Sequence, residues 1–229
     1  MLTLVEETLL LTFRDKTGRP LRLPEYSIEF AVAGAVLAEL ALEDRIDSDL
    51  DTLMVVDEAR TGDDVLDLVL RELAASPEQQ TTEHWLLRLA RVDSLRAGAL
   101  ERLAEQGVLR HQKKRLPFSF GEQRYEVTDP EKPRSIKARI REILTTDVIP
   151  DPRDVILVCL GHACELLGTV LNRRDLKAAS ERIQQVTRMD LIGQGLLREM
   201  RKTHDVIRRV GWWGVSKIEL ESGTAQEGA

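Results

Sequence analysis

The chain has 229 residues, of which 42% are hydrophobic, 31% charged and only 4% aromatic. This balance is ordinary for a globular protein and excludes a chain that is disordered over most of its length. The longest apolar run, residues 155–171, contains His162 and Glu165 and is shorter than the ~20 apolar residues of a membrane-spanning helix. Because aromatic residues are scarce, the core must consist of aliphatic helix formers, which favours helices over sheets.

Charge is distributed unevenly along the chain, although the net charge is only −6. Residues 1–90 carry 8 basic and 19 acidic side chains, whereas residues 91–145 carry 13 basic and 8 acidic ones. A local positive field over residues 91–145 could therefore attract an anion, even though the whole molecule is acidic. An ordinary solvated face is the alternative interpretation of the same residues.

Helix signals begin at the N-terminus. Thr3 and Glu6 have the spacing of a capping box, which predicts that the first helix begins there. A second, buried helix is predicted from Ser27 to about Glu43. The short apolar run 53–56 lies between Asp-rich segments and predicts a strand or hairpin.

Three further helices are predicted before residue 107. The run 61–64 (TGDD) predicts the start of a third helix, with acidic side chains at its positive end. A fourth helix contains Trp85. A fifth ends at Gly107, a residue suited to a helix C-terminus.

One β-hairpin is predicted from apolar residues that alternate on both sides of a turn at 121–123. These residues are Leu116, Phe118 and Phe120 before the turn and Tyr125 and Val127 after it. The simplest role of this apolar face is to pack against the core.

The C-terminal part predicts a helix over 135–147 and a long apolar helix that runs from Asp151 through Leu171. Two more helices are predicted over 175–189 and 190–209. We therefore predict a mostly α fold, a single-domain helical bundle with a protruding β-hairpin. Its domain spans 1–210, and residues 211–229 form a loosely ordered tail.

Local signatures of catalysis are absent from the sequence, including phosphate-binding glycine loops, nucleophile elbows and paired metal-binding histidines. His162, Cys164 and Glu165 form the most suggestive cluster, but His162 and Cys164 are two residues apart and point to different faces of a helix. We expect no enzyme activity, cofactor or metal. A hydrolase whose site is assembled from distant residues is the remaining catalytic alternative.

The basic residues of 91–145 lie on separate predicted elements, and arginine binds phosphate well because its planar fork donates two hydrogen bonds. One candidate is a winged-helix protein, with the helix that ends at Gly107 in the DNA groove and the hairpin as the wing. Glu101 and Glu105 on that helix argue against DNA. The other candidate is an acidic membrane surface.

Several segments carry a family resemblance through their order and spacing. They are residues 2–7 (LTLVEE), 34–42 (GAVLAELAL), 61–63 (TGD), Trp85, 105–109 (EQGVL) and 160–163 (LGHA). Together they cover roughly residues 2–210 and resemble the Golgi phosphoprotein 3 / vacuolar protein sorting 74 family, peripheral membrane adaptors that bind phosphatidylinositol 4-phosphate. The resemblance implies a helical bundle with a protruding β-hairpin.

The resemblance also implies a shallow basic pocket for the lipid headgroup. The family tryptophan falls near residues 23–24 of this chain, and the arginine of the second helix is replaced by Ala33. The two paired arginines correspond to Asp93 and Arg96, so Arg96 alone matches. The arginines near these positions in the alignment, which could substitute for the missing ones, are Arg14, Arg22 and Arg91.

The resemblance therefore leads us to expect a cytoplasmic, peripheral membrane adaptor whose partners are anionic lipid headgroups and cytosolic tails of membrane proteins. Leu116, Phe118 and Phe120 are expected to assist membrane contact or self-association, and nucleic acid is not expected. The chain starts at the first helix without the basic arm of the family, so coat recruitment by that arm is not expected. A composition rich in Leu, Ala, Arg and Asp favours a bacterial-type member, in which a Golgi role could not apply.

Overall fold

The N-terminal helix packs against a long, buried second helix. The structure is a computed structural model that describes residues 1–14, 19–21, 23, 25–49, 52–111 and 125–189. Helix α1 (Leu4–Leu11) begins with the predicted capping box, in which Thr3 and Glu6 each accept the other's backbone N–H. Helix α2 (Glu25–Leu42) begins before the predicted cap, so Ser27 is buried within the helix.

A short hairpin follows α2. Strands β1 (Ile46–Asp49) and β2 (Thr52–Val55) are antiparallel, with Ile46 opposite Val55, which confirms the predicted hairpin. Helix α3 (Asp64–Ala74) begins where the run 61–64 predicted it. The Asp63 carboxylate accepts the N–H groups of Val65 and Leu66, and Gly62 adopts a positive φ of 85° in the turn before it.

Helices α4 (Thr82–Leu89) and α5 (Asp93–Glu105) lead into a second strand pair. Gly107 ends α5 with a φ of 72°, and the chain turns directly into β3 (Leu109–His111). Strand β3 pairs with β4 (Tyr125–Val127), so Leu109 lies opposite Val127. The partner of β4 is thus the segment right after Gly107. The predicted apolar strand at 116–120 lies outside the described residues.

The predicted helix from Asp151 to Leu171 is shorter in the structure. Helix α6 (Glu131–Thr145) precedes it, and α7 (Pro152–Ala163) begins with Asp151 as its N-cap. Glu165 adopts a left-handed φ of 60°, which ends the helical path before a 3₁₀ turn at Leu166–Thr169. This turn buries Leu166 and Leu167 in the core.

Two short helices complete the described chain: α8 (Arg173–Ala178) and α9 (Ser180–Thr187). The sequence had predicted one helix over 175–189, and the predicted helix at 190–209 lies outside the described residues. Helix α1 contacts α2, α5, α6 and α7, so the N-terminal helix lies at the centre of the core. The mostly α fold is confirmed. The division at residue 210 stays a prediction.

Candidate functional site

The matched arginine of the sequence analysis, Arg96, lies one turn after the start of α5. Its side chain is 28% exposed, and its guanidinium donates to a Glu29 carboxylate oxygen at 2.8 Å. Glu29 belongs to α2, so this ion pair links two helices that are packed against each other. Arg96 therefore presents part of a cation to solvent while it also holds an internal partner.

The other predicted headgroup residues differ in their placement. Arg91 is exposed in the turn between α4 and α5, five residues before Arg96, and it has its own interactions within the protein. Arg14 is exposed just after α1, where its backbone N–H donates to the Arg19 carbonyl at 2.8 Å. Arg22 lies outside the described residues. We call Arg14, Arg22, Arg91 and Arg96 the candidate headgroup surface.

Two positions that the resemblance assigns to arginine have other roles here. Ala33 is fully buried in α2. Asp93 is exposed in the first turn of α5, where its carboxylate is favourably placed at the positive end of the helix. Among the family positions that the structure describes, Arg96 is the cation that reaches the surface.

Much of the positive charge of residues 91–145 is held in contacts within the protein, which sequence analysis did not anticipate. Arg102 pairs with Glu6 and Asp63, and the Lys137 amine is buried and donates to the Phe13 carbonyl at 2.5 Å. Further contacts join Arg110 to Glu126, Arg134 to Glu131 and Arg141 to the Val170 carbonyl. Among these described residues, Lys137 is therefore not available to a ligand, whereas Arg110, Arg134 and Arg141 are exposed and make their contacts at the surface.

A second set of ion pairs joins buried carboxylates to partly exposed arginines, and after its carboxylates we call it the buried ion-pair cluster: Glu7, Glu39, Arg139, Arg153 and Asp154. Arg139 contacts Glu7 at 2.7 Å and Asp154 at 2.5 Å, and Arg153 contacts Glu39 at 2.7 Å. Glu39 also accepts the Leu4 N–H, and Arg153 donates to the Leu2 carbonyl at 3.2 Å. The cluster ties the N-terminus and helices α1, α2, α6 and α7 together.

The buried carboxylates of this cluster are a structural feature that local sequence patterns did not predict. Glu7 interrupts the apolar run of α1, and this is the local sign that it would need a partner when buried. Burial raises the pKa of the Asp154 carboxyl, although the neighbouring Arg139 acts in the opposite direction.

The predicted hairpin residues Leu116, Phe118 and Phe120 lie outside the described residues, but the base of the hairpin is defined. Tyr125 donates its hydroxyl to Glu101 at 3.0 Å, and His111 lies 3.1 Å from the same carboxylate. Burial and Glu101 together raise the pKa of Tyr125 to about 12. These contacts attach β3 and β4 to α5. The Glu101 face, which a winged-helix protein would present to DNA, carries negative charge.

The described residues offer little support for catalysis. In the ranges that the structure describes, no group of three or more His, Cys, Asp or Glu side chains is arranged to hold a metal ion. Cys159 and Cys164 are buried, and burial raises the pKa of the Cys164 thiol, which keeps it from acting as a nucleophile at neutral pH. No helix in the described part of the chain is both long enough and apolar enough to cross a bilayer.

The fold and the site describe a mostly helical protein in which a partly exposed arginine, Arg96, lies where α2 and α5 pack together. Comparison with known proteins is consistent with this description. The family described as Golgi phosphoprotein 3 (GPP34) matches residues 4–204. The chain therefore belongs to the Golgi phosphoprotein 3 family, as the sequence segments indicated.

Two fungal relatives are similar over most of this chain. Vacuolar protein sorting-associated protein 74 of Eremothecium gossypii is 30% identical over 210 residues, which cover 76% of this chain and 62% of that protein. The protein of the same name from Schizosaccharomyces pombe is 27% identical over 223 residues, which cover 81% and 66%. The chain thus spans a little under two thirds of the length of these relatives.

Proposed function

We propose that this protein is a non-catalytic, peripheral membrane adaptor that binds anionic phosphoinositide headgroups, phosphatidylinositol 4-phosphate among them. The proposal rests mainly on the position of Arg96. It is the retained cation of the family pocket, and it lies partly exposed near the start of α5. Arg14, Arg22 and Arg91 are proposed to supply further charge.

The local geometry at the start of α5 supports phosphate binding. The first turn of this 13-residue helix has no side-chain cap, because Val92 occupies the N-cap position. The backbone N–H groups there and the helix dipole favour an anion. A phosphate that contacts Arg96 would therefore also lie near the positive end of α5, where the Asp93 carboxylate would compete with it.

The names of the two fungal relatives refer to vacuolar protein sorting, which supports a role in membrane traffic. We propose a cytoplasmic location with reversible membrane association and, as further partners, cytosolic tails of membrane proteins. In a bacterial host the same surface would act on a membrane other than the Golgi. Since this chain spans less than two thirds of these relatives, partners that they bind through other segments lie beyond the proposal.

The hairpin after β3 is proposed to assist membrane contact or self-association. Leu116, Phe118 and Phe120 would insert as an apolar edge beside the basic residues. Replacing the three residues by serine should weaken vesicle binding, and sedimentation of the same variant would show whether self-association is lost as well. Unchanged vesicle binding and unchanged association would contradict this part of the proposal.

Vesicle flotation tests the proposal directly. Phosphatidylcholine vesicles would carry phosphatidylinositol 4-phosphate, phosphatidylinositol or phosphatidylserine, with the total negative charge matched between preparations. We expect the protein to float best with the phosphomonoester lipid and to be released by high salt, because exposed charge contacts are screened. Equal failure on all anionic vesicles would refute the proposed function.

A further inference from the structure

The partner of Arg96 has the wrong charge for a simple phosphate pocket. Glu29 approaches from α2, and its carboxylate oxygen lies 2.8 Å from the Arg96 guanidinium. The two side chains are 15% and 28% exposed, respectively, so the pair lies at the protein surface but is partly shielded from solvent. An incoming anion therefore meets an arginine that is already neutralised.

The chemistry of the contact makes Glu29 a competitor of the ligand. A carboxylate oxygen that accepts a guanidinium N–H occupies the place that a phosphate oxygen would take. Asp93, three residues before Arg96 on α5, adds a second carboxylate to the same side of the helix. Both negative charges lower the affinity of this surface for an anionic ligand.

We propose that Glu29 limits the affinity of the headgroup surface, as an internal carboxylate that a lipid headgroup must displace from Arg96. This inference rests on the proposed function. Every anionic headgroup must break the same Arg96–Glu29 contact, so Glu29 weakens binding to all anionic lipids by a similar factor. A phosphomonoester, which carries a charge of about −1.5 to −2, can offset this cost better than a singly charged phosphodiester does.

The test compares two charge-matched variants on vesicles. Glu29→Gln removes the competing charge with little change in shape, and Glu105→Gln removes an equal charge from the exposed far end of α5. We expect Glu29→Gln to bind phosphatidylserine vesicles about threefold to fivefold more tightly than Glu105→Gln does. The gain on phosphatidylinositol 4-phosphate vesicles should be of similar size, because the same Arg96–Glu29 contact is removed in both cases.

Arg96→Ala, alone and combined with Glu29→Gln, separates the possible outcomes. In the Arg96→Ala background Glu29→Gln should bind no more tightly than Glu105→Gln does, because there is no Arg96 guanidinium to release. An advantage over Glu105→Gln that persists there would have another source and would overturn the role of Glu29. Equal binding of Glu29→Gln and Glu105→Gln, together with weaker binding of Arg96→Ala, would also overturn it while the proposed function stands.

Two further outcomes of this experiment are also informative. If Glu29→Gln does not fold, Glu29→Asp shortens the reach of the carboxylate and should give the same gain in weaker form, and no gain would overturn the proposal. If the wild type and every variant fail on all anionic vesicles, the proposed function fails and the role of Glu29 fails with it.

Discussion

Two regions of this protein contain arginine–carboxylate pairs whose carboxylates differ in burial, although their arginines are all partly exposed. In the buried ion-pair cluster, Glu39 and Asp154 are almost fully enclosed, and Glu39 and Arg153 are further fixed by backbone groups near the N-terminus. In the candidate headgroup surface, the Arg96–Glu29 pair lies at a helix junction with both side chains partly exposed. The same residue types are therefore suited to permanent cross-linking in one region and to ligand exchange in the other.

The largest effect should come from breaking the buried ion-pair cluster. Glu39→Gln removes a buried carboxylate and leaves the partly exposed Arg153 guanidinium without its ion-pair partner, which should lower the free energy of unfolding by about 2–3 kcal/mol. Urea unfolding measures this loss, with Glu105→Gln as the control that changes the same charge at an exposed position. The folded variant should bind vesicles as the wild type does. Unchanged stability, or weaker vesicle binding by a fully folded Glu39→Gln variant, would contradict the proposed difference between the two regions.

A smaller effect is expected at the start of α3, where Asp67 accepts bonds from Arg60 and from the backbone and hydroxyl of Thr61. Burial alone would raise the pKa of Asp67, but these hydrogen bonds outweigh burial and lower it. Asp67→Asn should therefore cost about 1–2 kcal/mol of unfolding free energy at neutral pH.

The direction of the pKa shift decides how the stability difference between wild type and Asp67→Asn changes with pH. A carboxyl whose folded pKa is lowered stabilises the protein above the unfolded value, near 3.8, and that contribution is lost as the pH falls through the lower folded value. The difference between wild type and Asp67→Asn should shrink in acid, as measured by urea unfolding at several pH values. A difference that grows in acid would show that the hydrogen bonds do not hold the charged form.

The smallest effect is expected at the base of the hairpin. Glu101→Gln removes the charge that, together with burial, raises the pKa of Tyr125 to about 12. The tyrosine should then ionise at lower pH in an absorbance titration. For this titration the other tyrosine, Tyr26, would be changed to phenylalanine in both proteins, so that Tyr125 is the tyrosine that titrates. Because the raised pKa means that stability falls as pH rises from 10 towards 12, the variant should lose less stability in that interval. An unchanged titration would place Tyr125 away from Glu101.

Local signals predicted much of the fold because their physics involves only neighbouring residues. The Thr3–Glu6 capping box, the Asp63 cap of α3 and the Gly107 turn were all readable from spacing and residue type. The end of α7 could not be read from the sequence in this way. Glu165 adopts a left-handed conformation there, and the leucines that follow it are buried. Apolar periodicity continues through such a break and does not reveal it.

The charge pattern was harder to interpret because ion pairs form between distant segments. Glu7 meets Arg139 across 132 residues and Glu39 meets Arg153 across 114, separations that no local spacing rule can predict. A count of basic residues along a stretch therefore does not show which of their charges are paired in the fold. The Glu29 partner of Arg96, 67 residues away, was missed for the same reason.

The most direct test of the account is vesicle binding by Arg96→Ala beside Arg134→Ala, an exposed arginine of the same basic stretch that pairs with Glu131 on α6. We predict that Arg96→Ala weakens binding to phosphatidylinositol 4-phosphate vesicles about tenfold, since it removes a charge-assisted phosphate contact. Its unfolding free energy should change by less than about 1 kcal/mol, and Arg134→Ala should match the wild type in both measurements. Equal binding by the two variants would contradict the assignment of Arg96 to the headgroup surface.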